Sequence, residues 1–291
     1  MQKIHTIISK KKPTFSFEFF PPKTEEGELQ LQNTILQLKD LKPDFVSITY
    51  GAGGTSQIKT EAWAYKIQKE LDLLSMAHLT CINASKEKIL NLLKQYRENS
   101  IQNIMALRGD LPQNQVLYYR YFRYASDLIS FIRLHFNNSF SIGAACYPEK
   151  HPEAKTLEED IENLKIKVDS GADFLITQLF FDNEKFFVFR DKIKAKGISI
   201  PLIAGIMPIT AYKQIEKFTK MANCKIPDSL YSNLEKYKDS EEDLKKISIE
   251  FSVNQCQELL NNGVEGVHFY TLNQSVATQE ILKKIHVYLT K

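Results

Sequence analysis

The sequence contains few cysteines and no long hydrophobic run, and both absences limit its class. The four cysteines, Cys81, Cys146, Cys224 and Cys256, are far apart and form no CxxC pair. Neither a zinc site nor a thioredoxin-like redox motif is therefore indicated, and we expect reduced, mostly buried thiols. No stretch approaches the roughly 18 apolar residues of a membrane span, and MQKIHTIISKKK has no apolar signal-peptide core. We therefore expect no membrane partner and a cytoplasmic protein.

A strong excess of one charge is also missing. The 38 Lys and Arg residues against 35 Asp and Glu residues leave a formal net charge of +3. The basic residues are scattered, apart from the run at 10–12, so nucleic acid is not the favoured partner. With 291 residues, of which 43% are hydrophobic, the chain can bury a sizeable core, either as one large α/β barrel or as two smaller domains.

Eight segments rich in β-branched and aromatic residues alternate with polar segments of helical period, which predicts βα units and a parallel sheet. The predicted strands are 14–20, 44–50, 74–81, 103–109, 140–147, 174–181, 202–208 and 266–272. Predicted helices between them include 28–41, 86–99, 125–136 and 158–171, the last ending at Gly171. Eight such units predict an α/β fold of the (β/α)8 TIM type.

The segment 209–265 is too long for one crossover and predicts extra helices between strands 7 and 8. Pro227 and the charged stretch KDSEED mark the expected breaks. No repeat or linker divides the chain, so residues 1–291 are expected to form a single domain.

Nucleotide motifs are absent in their usual form. No GxxxxGK[ST] occurs, and GAGGTS at 51–56 places Ser56 where a GxGxxG motif requires its last glycine. Taken alone, this stretch is typical of a flexible turn. Any dinucleotide is therefore expected to bind at the top of the barrel, without a Rossmann unit.

Polar residues follow nearly every predicted strand, where barrel enzymes place their chemistry. A single polar residue at such a position is usually only a hydrogen-bonded member of an interior layer. A set distributed around the whole barrel predicts an active site. Its members are Glu18, Thr49, Tyr50, His78, Thr80, Arg108, Asp110, Tyr147, His151, Gln178, Tyr270 and Asn273.

Glu18 lies in the centre of TFSFEFFPP, an otherwise apolar strand. We expect desolvation by Phe17, Phe19 and Phe20 to raise its pKa, which would suit it to donate a proton near neutral pH. The alternative is a core acid paired with Arg or Lys. Asp110, in the tripeptide RGD, has the alternatives of a helix N-cap or a salt-bridge partner of Arg108.

Histidines and carboxylates at these strand ends leave a metal site open as a minority alternative. His78 and His151, each taken alone, are more often structural. Together with Glu18 and Asp110 they could form a metal cluster, but the sequence has neither an HxH pair on the first strand nor an HExxH helix. We therefore predict no metal.

Eight motifs in order resemble the methylenetetrahydrofolate reductases. They are FSFEFFPPKT, VSITYGAGG, AHLTC, IMALRGDLP, YPEKHPEAK, GADFLITQLFFD, GIMPIT and HFYTLN. The resemblance runs from about residue 14 to the end of the sequence and covers the catalytic barrel, as in the short bacterial form. It implies an FAD-dependent oxidoreductase of one-carbon metabolism and methionine biosynthesis. NADH or NADPH would reduce the flavin, which would pass hydride to 5,10-methylenetetrahydrofolate in a ping-pong scheme.

The resemblance also implies residue roles. Glu18 matches the general acid that opens the folate's five-membered ring, Asp110 a carboxylate near flavin and pterin, and Thr49 a residue near the flavin's reactive nitrogen. The implied FAD contacts are Thr49, Tyr50, Ala52, His78, Arg108, Gly109, Asp110, Tyr124, Ala125, Tyr147, His151, Ala154, Asp160, Asn163 and Lys167. The implied substrate contacts are Glu18, Thr49, Asp110, Gln178, Gln214, Tyr270 and Gln274. A homo-oligomer is also implied.

Two features depart from the family pattern. Gln274 stands where the family has Arg, and an amide cannot make a bidentate charged pair, so we expect a weaker hold on the folate tail or on the nicotinamide cofactor. The 111–123 loop is longer and more aromatic, and either covers the FAD adenosine differently or is a surface loop. Two other functions stay open: a metal-dependent barrel hydrolase, and a flavin- or folate-binding protein without turnover.

Overall fold

The computed structural model describes residues 2–50, 54–110 and 121–289. The strands are β1 Thr14–Phe19, β2 Phe45–Ile48, β3 Ser75–Thr80, β4 Asn103–Leu107, β5 Ser141–Cys146, β6 Phe174–Thr177, β7 Leu202–Ile206 and β8 Gly266–Tyr270. The helices are α1 Ile4–Lys10, α2 Glu25–Lys39, α3 Gly54–Lys69, α4 Lys86–Glu98, α5 Ala125–Phe136, α6 Leu157–Asp169, α7 Asn183–Ala195, α8 Tyr212–Ala222, α9 Asp228–Lys236, α10 Glu241–Asn261 and α11 Val276–Leu289.

The eight strands close into a parallel barrel. Each strand pairs with the next along the chain, and β8 pairs with β1. The predicted TIM-type (β/α)8 fold is confirmed, and each strand begins within one residue of its predicted start. The strands end one to four residues before their predicted ends, most clearly in β6, which stops at Thr177. Polar residues such as Thr49, Arg108 and Gln178 therefore lie in the loops that follow the strands, whereas Glu18, His78 and Tyr270 lie within strands.

Alternation along β1 separates its aromatic residues from its polar ones. Phe15, Phe17 and Phe19 belong to the large core that also contains apolar residues of the surrounding helices. Ser16 and Glu18 point to the opposite face, into the barrel, because successive side chains of a strand alternate. Phe17 and Phe19 face the helices, and Phe20 is 44% exposed. The prediction that these phenylalanines remove Glu18 from water is therefore wrong.

A short helix that the sequence analysis did not predict closes the amino end of the barrel. Ile4 and Ile8 of α1 are fully buried, in one cluster with barrel-lining residues such as Phe45 and Phe174. The backbone N–H of Ile4 donates to Oδ1 of Asn103, the first residue of β4, at 2.9 Å. The apolar spacing at 4, 7 and 8 is helical, but α1 has only seven residues, which makes such a helix hard to predict.

The extra helices between strands 7 and 8 are confirmed as α8, α9 and α10. They enclose a second, smaller core, which contains apolar residues from the segments after β6 and β7, such as Leu179 and Met207. Pro227 directly precedes α9, and KDSEED spans the break before α10, as expected. This smaller core therefore adjoins the carboxyl ends of β6 and β7.

Three local predictions can also be compared with the described residues. Gly171 follows α6 at a φ of +112°, which fits its predicted role as a helix stop. All four cysteines are buried and unpaired. In the part of the chain that the structure describes, no helix is long and apolar enough to cross a membrane.

Candidate active site

The carboxyl end of β1 places Glu18 between two neighbouring strands. Its register partners are Ser47 of β2 and Tyr270 of β8. The side chain is 19% exposed, so the carboxylate lies at the mouth of the barrel, largely removed from water. A carboxylate in such a position needs polar partners, because an isolated buried charge is costly.

Two histidines and a serine supply those partners. Nε2 of His78 lies 3.3 Å and Nε2 of His268 3.5 Å from Oε2 of Glu18. The hydroxyl of Ser47 donates to the same oxygen at 3.4 Å. On the other side of the His268 ring, Nδ1 lies 2.7 Å from Oγ of Ser16. Ser16, His268 and Glu18 therefore form a continuous polar chain inside the barrel.

The histidines reverse the expected pKa shift of Glu18. Burial opposes ionisation of the carboxylate, but hydrogen bonds and positive charge from His268 and His78 outweigh it and lower the pKa to about 2. The predicted rise in this pKa is therefore wrong. The predicted rise rests on the apolar neighbours along β1, whereas the partners that decide the pKa lie on β3 and β8.

Nε2 of His78 is close to Glu18 but poorly aligned with it. The residue is 7% exposed, and its Nε2 makes no aligned hydrogen bond within the described structure, although Oε2 of Glu18 is near. Buried polar atoms in native proteins are usually well hydrogen-bonded, and this atom has only the poorly aligned carboxylate. This atom is therefore available to a ligand bound at the mouth of the barrel.

Arg108 directly follows β4 and places a guanidinium at the carboxyl end of the barrel. Its guanidinium donates from Nη1 and Nη2 to the two oxygens of Glu153 at 2.7 and 2.6 Å. Gly109 follows at a φ of +90°, and a Cβ there would lie 2.9 Å from Cγ2 of Ile82. The backbone at this turn therefore passes close to the loop after β3, in a conformation that glycine adopts most readily.

A second polar group surrounds the end of β5. The rings of Tyr147 and His151 meet edge to face at 4.7 Å, and Asp160 accepts a hydrogen bond from the N–H of His151 at 2.9 Å. Lys167 donates to the carbonyl of Ala145 at 2.6 Å. Burial lowers the pKa of Lys167 and raises that of Asp160. These groups lie within electrostatic range of Arg108, which affects the pKa of both Tyr147 and His151.

Tyr270 crosses the mouth from β8 to β6. Its hydroxyl donates to the carbonyl of Thr177 at 2.6 Å, beside Gln178. The crossing requires Gly205 on β7, since a Cβ there would lie 2.3 Å from the Thr177 oxygen and 2.7 Å from the Tyr270 hydroxyl. Tyr270 therefore links the Glu18 side of the mouth to the Gln178 side.

Comparison with known proteins identifies the family. The model for "Methylenetetrahydrofolate reductase" matches residues 3–286. The chain belongs to the methylenetetrahydrofolate reductase family. It is 41% identical over 280 residues to methylenetetrahydrofolate reductase 1 of Schizosaccharomyces pombe, covering 95% of this chain and 46% of that protein. It is 39% identical over 272 residues to the 5,10-methylenetetrahydrofolate reductase of Pectobacterium carotovorum, covering 94% of this chain and 90% of that protein.

Solved structures support the fold. A protein of Clostridium thermocellum, described as binding two copies of 5-methyl-5,6,7,8-tetrahydrofolic acid, superposes with a TM-score of 0.68 at 16% identity, covering 98% of each chain. At this identity the likeness concerns the fold alone. The predicted family and the predicted oxidoreductase class are confirmed at the level of the reductase family, which gives no support to a metal-dependent hydrolase.

The remaining predicted site residues differ in how far they are buried. Thr49, Tyr50, Gln178 and Gln214 are half-buried, Ala125 and Ala154 are buried, and Asp110, Tyr124, Asn163 and Gln274 are exposed. Gln274 lines an open groove of about 610 Å³ beside α2, together with Gln30 and Asn33. Ala52 and residues 111–120 of the long loop lie outside the described residues. The roles of all these residues stay predictions.

Sequence reasoning missed four polar residues of the site. Ser16, Ser47 and His268 are fully buried and lie within strands, whereas the predicted set was drawn mainly from strand ends. His268 precedes Tyr270 by two positions, so the alternation of β8 would have placed both on the inner face. Glu153 could not be found in this way, because its pairing with Arg108 joins two loops that are distant in sequence. Arg108 thus pairs with Glu153, whereas the sequence offered Asp110 as its salt-bridge partner.

No group of three or more His, Cys, Asp and Glu side chains is arranged to hold a metal ion within residues 2–50, 54–110 and 121–289. Oε2 of Glu18 is instead surrounded by two imidazole nitrogens and a hydroxyl at 3.3 to 3.5 Å. These are distances of hydrogen bonds and ion pairs.

Proposed function

We propose that this protein reduces 5,10-methylenetetrahydrofolate to 5-methyltetrahydrofolate, with FAD as the carrier and NADH or NADPH as the hydride donor. The observation that carries this proposal is Glu18, held between His78 and His268 at the barrel mouth of a reductase family member. The Clostridium protein of the same fold, described as binding 5-methyl-5,6,7,8-tetrahydrofolic acid, supports a folate as the ligand of such a barrel.

The residues around the mouth fit FAD. Nε2 of His78 is buried, and its contact with Glu18 is poorly aligned, so it can also contact a polar atom of the flavin. Arg108 and Lys167 supply cations for a pyrophosphate, and Tyr147 supplies an aromatic face. The close turn at Gly109 leaves no room for a side chain. When bound, FAD supplies the two-electron chemistry that the side chains lack.

Glu18 protonates the bridging amine of the folate. Protonation there opens the five-membered ring to an iminium, which is the form that accepts hydride. A pKa of about 2 means that Glu18 is ionised before the substrate binds, so the proton must reach it from a neighbour. The ionised carboxylate also attracts the positive charge that develops on the folate.

His268 is positioned to deliver that proton. Its Nε2 lies 3.5 Å from the carboxylate of Glu18, and its Nδ1 is hydrogen-bonded to Ser16. Since Nε2 of His268 faces the carboxylate, the two groups can share the proton that Glu18 gives to the basic amine of the folate. Since His268 is fully buried and stacked on Phe45, its ring orientation is fixed for this transfer.

The remaining side chains orient the substrates. Gln178 can both donate and accept hydrogen bonds to a pterin edge, and Gln214 offers a second amide from α8. Gln214 already accepts a hydrogen bond from the hydroxyl of Thr210 at 2.8 Å, which orients its amide. Asp110 adds a second negative charge for the folate cation. Thr49 lies directly after β2, with its N–H bonded to the carbonyl of Phe19.

The test is an anaerobic titration of the purified protein, followed by its visible spectrum. The flavin absorbance should bleach with NADH or NADPH and return with methylenetetrahydrofolate. In Glu18→Gln, we expect FAD binding and bleaching to persist while the reoxidation rate by folate falls at least about 100-fold. Glu158→Gln, which removes a carboxylate from the outer surface of α6, is the matched control.

The outcomes separate the possibilities. A protein that takes up no FAD would contradict the proposed function. A yellow protein that neither bleaches nor recovers would be a binding protein without turnover. Equal loss of both half-reactions in Glu18→Gln would contradict the role of Glu18 as the acid for folate.

A further inference from the structure

We propose that Glu153 is a displaceable anion that occupies Arg108 until the pyrophosphate of FAD takes its place. The inference rests on the proposed function, because it assumes that FAD binds at this mouth. Both terminal nitrogens of Arg108 donate to the two carboxylate oxygens of Glu153, at 2.7 and 2.6 Å. This is the two-pronged geometry with which arginine also binds phosphate.

The two partners differ in exposure. The side chain of Arg108 is 19% exposed, whereas that of Glu153 is 52% exposed. The arginine is therefore fixed near the mouth, and the glutamate reaches it from the solvent side. A carboxylate with half its surface in water can return to full hydration at little cost, which makes Glu153 the mobile member of the pair.

The backbone beneath Glu153 is held in place. Its N–H donates to Nδ1 of His151 at 3.1 Å, and the N–H of Ala154 donates to the carbonyl of His151 at 3.0 Å. Rotation of the Glu153 side chain alone would therefore break this ion pair. The other nearby carboxylate, Asp160, is bound to the N–H of His151 and is half-buried, so it cannot leave as easily.

The charges explain why an exchangeable anion is useful. Arg108 and Lys167 together attract anions, and a partly buried guanidinium without a counterion would be unfavourable. Glu153 supplies the counterion in the unliganded protein. The pyrophosphate then exchanges with the Glu153 carboxylate. The affinity for FAD is therefore lower than it would be if Glu153 carried no charge.

The test compares the affinity of the flavin-free protein for FAD in wild type and in Glu153→Gln, followed by quenching of flavin fluorescence. An amide cannot hold a guanidinium by charge, so we expect about threefold to tenfold tighter FAD binding in the variant. ADP, which carries the pyrophosphate, should show the same gain in affinity as FAD. Riboflavin, which has no phosphate, should bind wild type and variant equally. Glu158→Gln controls for the change in net charge.

Salt provides a second measurement. In Glu153→Gln the pyrophosphate no longer competes with the Glu153 carboxylate for Arg108, so FAD affinity should fall more steeply with KCl than in wild type. In an Arg108→Gln background, the further change Glu153→Gln should have no effect on FAD affinity, because the two residues act through one contact.

Equal or weaker FAD binding by Glu153→Gln would overturn the inference, since weaker binding would mean that Glu153 holds Arg108 in position for the phosphate. A matching gain for riboflavin would also overturn it, by showing a general change in the loop. Failure of the wild-type protein to bind FAD at all would overturn the proposed function as well. The two failures are therefore distinguishable.

Discussion

The ionisation of Glu18 depends on side chains from three strands. Its pKa lies near 2, below the ordinary value of 4.5, because His268 and His78 outweigh the effect of burial. The ionised form therefore stabilises the fold above about pH 4.5, and this contribution is lost as the pH falls toward 2. A change in either histidine should be visible directly in this titration.

We predict that His268→Asn raises the pKa of Glu18 by about one unit or more, because the variant removes a hydrogen bond and a positive charge from the carboxylate while burial remains. The measurement is the pH titration of the ¹³C carboxyl resonance that is missing from Glu18→Gln. Ser16→Ala is the control: it keeps both histidines and should shift the midpoint less. A midpoint unchanged in His268→Asn would mean that His268 does not control this carboxylate.

Single residues also mark the limit of sequence reasoning. Glu18 could be found because one carboxylate in an apolar strand is unusual. The sign of its pKa shift could not, since it depends on His268, which is 250 positions along the chain but on the neighbouring strand. The pairing of Arg108 with Glu153 was hidden for the same reason, because side-chain pairing between loops leaves no periodic pattern.

At the scale of elements, the barrel strands were predictable because their β-branched and aromatic runs alternate with helical segments. Their starts were predicted within one residue. Their ends were predicted too late, because Thr49 and Gln178 continue the strand-like runs in sequence but lie in the loops that follow the strands. Helix α1 was missed because seven residues give only two turns of helical pattern.

Helix α1 should contribute to the stability of the fold but not to FAD binding. We predict that Ile8→Ala lowers the free energy of unfolding by about 2–5 kcal/mol, because Ile8 is fully buried against the barrel interior. The affinity for FAD should stay unchanged, since α1 closes the amino end and the site lies at the carboxyl end. Urea denaturation and flavin titration measure the two quantities.

Leu134→Ala is the matched control for this experiment. Leu134 lies on α5 with 76% of its surface exposed, so its truncation should change stability by no more than about 0.5 kcal/mol. Loss of FAD affinity in folded Ile8→Ala would show that the two ends of the barrel are coupled, contrary to the expectation.

At the scale of the whole molecule, the two ends of the barrel differ in composition: the amino end is apolar, and the carboxyl end carries the polar and charged side chains. The amino end is filled by Ile4, Ile8 and apolar residues of the strands. The carboxyl end carries Glu18, the histidines, Arg108 and Lys167, which the strand order brings together from distant parts of the sequence. The predicted homo-oligomer stays a prediction, as does the choice between NADH and NADPH.

A single opening at the carboxyl end of the barrel, used by both substrates, leads to a kinetic prediction. Tyr270 joins the Glu18 side to the Gln178 side through its hydrogen bond to Thr177, so folate and nicotinamide would use the same opening in turn. We therefore expect parallel lines in double-reciprocal plots when NADH is varied at several fixed concentrations of methylenetetrahydrofolate.

Folate at high concentration should also inhibit competitively against NADH, since it would occupy the opening before the flavin is reduced. Intersecting lines would instead require both substrates to be bound together. That result would place the nicotinamide outside the mouth formed by Glu18, Tyr270 and Gln178, and the site would then need a second entrance to the flavin. Parallel lines with noncompetitive folate inhibition would contradict the shared opening while leaving the order of the two half-reactions intact.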